Sequence, residues 1–338
     1  MGYCADSFVG EAETVGVVAG TGETDARGDR PAISLLLASP RGFCAGVTRA
    51  IDAVREAIKV HGSPVYVRRA IVHNAEVVRE LEQEGAIFIQ ELDEAPPGSV
   101  VLFSAHGVSP TIAADARDRG LTAYDAVCPL VAKVHREVAR HQRSGRAVVL
   151  IGHAGHPEIE GTLGHAAAGA VELVSDADDV AAVPLDPHAP TAYAVQTTYS
   201  VDDAQAIVDA LRARFSDLVG PPSSDICYAT TNRQAAVRAI AARADAVIVA
   251  GDPSSSNANR LAEVAAASCG SVQLIAGADE LDWSKFPLPG TIGLTAAAST
   301  PESVVDEIVA ALGKRFEVRT EQVEVAREAI AFKPVAIG

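Results

Sequence analysis

The sequence predicts an α/β protein made of three similar lobes, and three observations carry that expectation. Apolar residues fill 48% of the 338 positions but aromatic ones only 4%, so the core must be aliphatic. Runs rich in Val, Ile and Ala alternate with segments of helical spacing along the chain, as strands and helices do in α/β proteins. Cys44, Cys128 and Cys227 each stand where a strand-like run gives way to a helical one, in LLLASPRGFCAGVTRAIDAV, AYDAVCPLVAKVHREV and SSDICYATTNRQAAVRAI. Topology and cysteine placement together describe a weak internal repeat of about 90 residues.

Residues 1–30 are rich in Gly, Glu, Thr and Asp and lack periodicity, so they are expected to be a disordered extension with Cys4 an incidental exposed thiol. Lobe 1 is expected over residues 31–128, lobe 2 over 129–223 and lobe 3 over 224–313, with a tail over 314–338. The aliphatic run 33–38 reads as a buried parallel strand of lobe 1 or one that joins lobe 3. After Cys44, residues Val47, Ala50, Ile51, Val54, Ala57 and Ile58 hold helical spacing up to Gly62-Ser63-Pro64. Strand 65–72, helix 75–84 and strands 86–90 and 100–104 follow. Ser109-Pro110 then caps a short helix, and 122–127 leads into Cys128.

The second lobe reads as helix 130–144, strand 147–151, the turn 152–161, strand 192–196 and a helix over 201–215. The third reads as helix 230–243, strand 245–250, helix 258–268, strands 272–275 and 291–295, and helix 302–312. The tail alternates as short strands do and is expected to lie across a lobe.

A net charge of −16 argues against general nucleic-acid or membrane-surface binding, since phosphate surfaces need a basic face. It leaves room for one small anion in a locally positive pocket. The first basic residue is Arg27, the stretch VGVVAG is too short for a secretory signal, and no apolar run is long enough to span a membrane. A cytoplasmic location is therefore expected, where thiols stay reduced. Five cysteines at these spacings suit neither a disulfide framework nor a C-x-x-C zinc site. Cys269, ending an Ala-rich segment, reads as a small buried residue.

A thiolate at a helix N-terminus is stabilised by the helix dipole and by unpaired N–H groups. Three such soft ligands, brought together, suit an iron–sulfur cluster with one iron left open for chemistry. Polar turns close the strands: Val72-His73-Asn74, Ala105-His106-Gly107, the run from Gly152 to Glu158 that holds His153 and His156, Gln196-Thr197-Thr198, Ser254 to Asn257, and Ala298-Ser299-Thr300. Ligands collect at the carboxyl ends of strands in open α/β sheets, and hydroxyls at helix N-termini bind anions. Taken singly, a strand-end histidine is usually structural and a serine-rich turn is usually a cap. Their convergence on the same junctions as the cysteines favours a site.

His61, His135, His141, His165 and His188 receive no role. Lys133, Arg136 and Arg140 form a basic stripe, read first as a solvated helix face and second as a docking patch for an acidic electron carrier.

The segments PRGFCAGVTRAI, VYVRRAIVHN, FSAHGVSP, DAVCPLVAKVH, IGHAGHPEIEGTLG, QTTYSVDD, DICYATTNRQ and SSSNANRLAE closely resemble the 4-hydroxy-3-methylbut-2-enyl diphosphate reductase (LytB) family over roughly residues 32–312. The resemblance implies a pseudo-three-fold arrangement of the lobes around a central [4Fe–4S] cluster held by Cys44, Cys128 and Cys227. It implies a diphosphate pocket lined by His73, His106, His156, Thr197, Ser255, Ser256, Asn257 and Ser299, with Glu158 as proton donor. It further implies reductive dehydroxylation of the allylic diphosphate to isopentenyl and dimethylallyl diphosphate, with electrons from a donor such as reduced ferredoxin or flavodoxin. Protonated His73 and His106 are expected to meet the diphosphate charge. Two rival readings are an iron–sulfur hydro-lyase and a non-enzymatic anion-binding redox sensor. Where the family usually reads T-A-G-A-S, this chain has Thr295-Ala296-Ala297-Ala298-Ser299, which puts a methyl in a turn that could call for glycine, and Asp252-Pro253 precedes the SSSN turn.

Overall fold

A computed structural model describes residues 30–338; the extension expected before them, with Cys4, lies outside the described residues. The chain opens with β1 (Ala32–Ser39), α1 (Ala45–His61), β2 (Val65–Arg68), α2 (Ala75–Glu84), β3 (Ala86–Ile89), β4 (Val100–Phe103), α3 (Pro110–Asp118) and β5 (Thr122–Asp125). It continues through α4 (Pro129–Arg143), β6 (Ala147–Ile151), α5 (Pro157–Leu163), β7 (Val171–Val174), α6 (Asp179–Ala182), β8 (Thr191–Val195), α7 (Val201–Arg214) and β9 (Leu218–Val219). The last third holds α8 (Tyr228–Ala241), β10 (Ala246–Ala250), α9 (Ser256–Ala266), β11 (Val272–Ile275), β12 (Gly290–Ala296), α10 (Glu302–Arg315) and β13 (Glu317–Glu324).

These strands form three sheets, ordered β3-β2-β4-β5, β7-β6-β8-β9 and β11-β10-β12-β1-β13. Every pairing is parallel. Parallel strands need crossovers, and the helices that supply them cover the sheet faces, so the central strands read as unbroken aliphatic runs. All five residues of β10 are buried, for example. Each sheet has its own aliphatic core.

β1 comes first in the chain but lies in the third sheet, in register with β12 from Ile33↔Gly290 and with β13 from Ala32↔Glu317 to Ser39↔Glu324. The tail thus contributes one eight-residue strand rather than several short ones, and beyond it the chain runs without regular structure. β2 ends at Arg68, short of the expected residue 72, because Arg69 takes a left-handed φ of 59° that a continuing strand cannot accommodate. The turn after β6 is shorter than read from sequence, since Pro157 starts α5 inside it.

Candidate functional site

Cys44, Cys128 and Cys227 are the N-cap residues of α1, α4 and α8. One backbone hydrogen bond ties each of them to a polar turn. Cys44 N–H donates to Ala298 O at 3.1 Å, Cys128 N–H to Ala105 O at 2.9 Å and Cys227 N–H to Thr197 O at 3.0 Å. Those carbonyls adjoin or belong to Ser299, His106 and Thr197, and they follow β12, β4 and β8, neighbours of the strands β1, β5 and β9 that precede the three cysteines, so each sheet delivers a thiol and a polar group as one unit. All three cysteines line a single cavity together with His73, His106, His156, Glu158, Thr197, Ser255, Ser256, Asn257 and Ser299. The structure therefore brings together every site residue expected from the sequence.

The thiol end of the cavity fits a cluster. A Cβ on Gly46 would lie 2.8 Å from Cys128 Sγ and 3.8 Å from Cys44 Sγ, so glycine in the first turn of α1 leaves space that two sulfurs share. Cys227 Sγ lies 3.2 Å from Thr230 Oγ1 and accepts the Thr230 N–H at 3.4 Å. Among the described residues no group of His, Cys, Asp or Glu is arranged to hold a single metal ion. A cluster takes each thiolate on a different iron and so asks for a wider spacing than one ion does. Burial pushes the Cys128 thiol up to about 12 and the Cys227 thiol up to about 11. Desolvation outweighs the helix N-terminus expected to favour thiolates, so metal uptake must release protons.

The other end suits an anion. His73, His106 and His156 form a cluster with ring centroids 4.3, 5.5 and 5.7 Å apart. Burial, then the neighbouring rings, hold His106 well below its ordinary value and His156 at about 4. Burial also lowers His73, against the opposing pull of Asp252. The rings are thus neutral at pH 7 rather than ready-made cations, and a diphosphate would have to recruit their protons. His73 Nε2 and Asn257 Nδ2 are buried with no hydrogen-bond partner, as donors awaiting an acceptor would be. The Ser299 hydroxyl donates to the His73 carbonyl at 3.0 Å and fixes the turn opposite.

Glu158 lies between the two ends. It is 1% exposed, and its carboxylate accepts the Thr197 N–H at 2.7 Å and the Thr197 hydroxyl at 2.8 Å. Burial raises its pKa to about 7 against the pull of those two hydrogen bonds, with Asp225 adding to the rise. A carboxyl poised there can donate a proton at neutral pH. His156 caps α5 through Nδ1, which accepts the Glu158 N–H at 3.2 Å, so the anion cluster and the acid share one turn.

Ala297 causes no strain. Arg69 is the one non-glycine at positive φ among the described residues, so this turn needs no glycine conformation, and Ala297 is fully buried. Arg136 and Arg140 of the basic stripe are exposed, as a solvated helix face requires, and only Lys133 is drawn inward. Lys133 bonds to Ser223, Ser224 and the buried Asp225, and Arg140 pairs with Glu137. Cys269 is a buried free thiol.

Sequence reasoning missed Asp252 as an inter-lobe tie: its carboxylate accepts the Ala75 N–H at 2.9 Å, across from the SSSN turn to the start of α2. The Asp-Pro step before that turn was the available signal. It also missed Tyr228, whose hydroxyl accepts the Ala45 N–H at 3.2 Å and joins the Cys227 helix to the Cys44 helix.

Fold and site together define an α/β protein with a three-cysteine centre facing an anion-suited pocket. Comparison with known proteins takes this further. The family model described as LytB protein matches residues 35–313. A 4-hydroxy-3-methylbut-2-enyl diphosphate reductase from Paracoccus denitrificans is 52% identical over 306 residues, covering 90% of this chain and 96% of that one. Its counterpart from Methylocella silvestris is 49% identical over 305 residues, with the same 90% and 96% shares. The solved E-1-hydroxy-2-methyl-but-2-enyl-4-diphosphate reductase from Plasmodium falciparum superposes with a TM-score of 0.87 at 38% identity, covering 90% of this chain and 96% of that one.

The chain belongs to the 4-hydroxy-3-methylbut-2-enyl diphosphate reductase family of oxidoreductases, as its sequence motifs suggest. No helix among the described residues is long and apolar enough to cross a membrane.

Proposed function

We propose that this chain reduces (E)-4-hydroxy-3-methylbut-2-enyl diphosphate to isopentenyl and dimethylallyl diphosphate, the last step of the methylerythritol phosphate route to isoprenoids. The observation that carries the reading is one cavity lined by three thiols, a buried acid of raised pKa and partnerless buried polar groups. Bound by Cys44, Cys128 and Cys227, a [4Fe–4S] cluster with one iron free of protein ligands would supply Lewis acidity toward the substrate hydroxyl and relay electrons from an external donor one at a time.

The reaction replaces a carbon-bound hydroxyl with hydrogen, so two electrons and two protons enter and water leaves. Glu158 gives one proton to the departing oxygen, and Thr197 fixes the direction of its carboxyl. The second proton goes to the allylic carbon chain, and its arrival at either end gives the two products. His73, His106, His156, Ser255, Ser256, Asn257 and Ser299 hold the diphosphate, whose charge draws protons onto the histidines. A small external carrier such as reduced ferredoxin or flavodoxin supplies the electrons.

An anaerobic assay with a low-potential reductant tests this. Two electrons are expected per molecule of product. Glu158→Gln should keep the cluster and bind substrate while turnover falls about 100- to 10,000-fold. Loss of the hydroxyl without electron consumption would mark a hydro-lyase, and binding without turnover an anion sensor.

A further inference from the structure

Residues 325–338 take no part in the chemistry above, yet they lie against the cysteine centre. Beyond β13, Ala326, Glu328, Phe332, Val335 and Ile337 are half-buried and the residues between them exposed, as in an extended chain lying on a surface. Val335 and Ile337 pack on the core of the first sheet, and the Gly338 N–H donates to the Tyr124 hydroxyl at 3.1 Å. A cleft of about 800 Å³ separates this segment from α1. Cys44 lines both that cleft and the central cavity, whereas Cys128 and Cys227 line only the central one of the two.

Two arginines hold the segment. Arg233, on α8, is fully buried. Its Nε and Nη2 donate to Gly42 O at 3.0 and 2.7 Å, and its Nη1 donates to Ala229 O and to Glu328 Oε1, both at 3.0 Å. One guanidinium thus joins the loop before Cys44, the turn after Cys227 and the C-terminal segment. Arg49, on α1, repeats the pattern. Its Nη1 donates to Ala126 O at 3.2 Å and Val127 O at 2.9 Å, just before Cys128, while its Nε donates to Lys333 O at 2.8 Å. A buried guanidinium left without its carboxylate is strongly unfavourable, so Glu328 anchors the segment by charge as well as by packing.

We propose that residues 325–338 form a retention strap. Docked, the strap forms one wall of a second cleft that reaches the metal centre at Cys44. Through Arg233 and Arg49 it also holds the loops that carry Cys44 and Cys128 at the spacing a cluster needs. The proposal rests on the reading of the three cysteines as cluster ligands.

Two measurements on the full-length chain test it. The protein is loaded anaerobically with iron and sulfide and then stripped with an excess of a ferrous chelator. In parallel, the metal-free chain is alkylated with iodoacetamide and the labelling of each thiol followed by mass spectrometry. Glu328→Gln, which keeps the shape but not the charge, and Arg233→Lys should release iron roughly 10- to 100-fold faster, the range for outer-shell partners of metal ligands. Both should also speed the labelling of Cys44 and not that of Cys227. Arg243→Ala breaks an exposed pair with Glu321 on β13 and should leave both rates unchanged. Wild-type rates in Glu328→Gln and Arg233→Lys would overturn the strap while the ligand reading stands. Equal acceleration of all three thiols would overturn it too, as general loosening. If Cys44→Ser holds as much iron and sulfide as the wild type, the ligand reading falls and the strap's role with it.

Discussion

Glu158 and the histidines of the anion pocket answer burial in opposite directions with the same result. Desolvation raises the acid to about 7 and lowers His156 to about 4, so both settle toward their neutral forms. The pocket's own charge is small, and an anion must bring protons in with it. Because His73, His106 and His156 lie below their ordinary values alone and would be raised by a diphosphate bound beside them, such binding is expected to take up protons and to weaken as pH rises. Calorimetric titration with the allylic diphosphate at pH 6.5, in two buffers of different ionisation heat, should show net uptake of protons. Zero uptake would mean that neutral donors hold the anion unaided.

The three cysteine-bearing helices each spend their first turn on the site, and α1 shows how tightly. Glycine inside a helix ordinarily costs about 0.5–1 kcal/mol relative to alanine, so Gly46→Ala should firm up α1 itself. Yet the added Cβ would stand 2.8 Å from Cys128 Sγ, a separation that atoms do not tolerate. The expected outcome is a chain that takes up much less iron and sulfide, and whose metal-free form gains nothing in melting temperature because crowding at Cys128 offsets the helix gain. Full loading of the variant would show that the thiols have slack that the geometry denies them.

Helices, strand ends and site turns of this kind were readable because their signals are local: a cysteine, a histidine or a hydroxyl cluster within a few residues of a change in periodicity. Arg233 was not readable, since TTNRQAAVR looks like any helix carrying a solvated arginine, and only residues far away in sequence make it buried. β7, α6 and β9 escaped for a related reason. They are two to four residues long and partly exposed, too short to show a period. For β1 the sequence left open whether it belongs to lobe 1 or joins lobe 3, because its pairing with β12 and β13 is a distant one that no local pattern encodes.

At the scale of the whole molecule, buried histidines set the response to acid. His135 is wedged against Gly107 and Gly161 and stacked on His165 at 4.3 Å, and burial, then the charges of His165 and Arg136, push it down to about 3. With folded values depressed below the unfolded value near 6.5, His135 and His156 contribute stability that is present above that value and lost as pH falls toward 3 to 4, and His106, also held well below its ordinary value, acts in the same direction. The urea midpoint of the metal-free chain should therefore drop steeply from pH 6.5 downward, and His135→Phe should flatten the slope. A midpoint that stays level down to pH 4.5 would contradict this account.

The three hydrogen bonds from cysteine N–H groups to the polar turns have a consequence for how such a protein can change. Each sheet carries one cavity thiol and one polar turn on a common peptide joint, as a tripod carries its load on three legs. Shortening or tilting one leg to admit a bulkier substrate also swings one sulfur, so on the proposed reading of the cysteines as cluster ligands selectivity and redox character would not be separately adjustable. Variants selected for a new allylic substrate should therefore carry altered cluster spectra even when no residue within contact of a thiol has been touched.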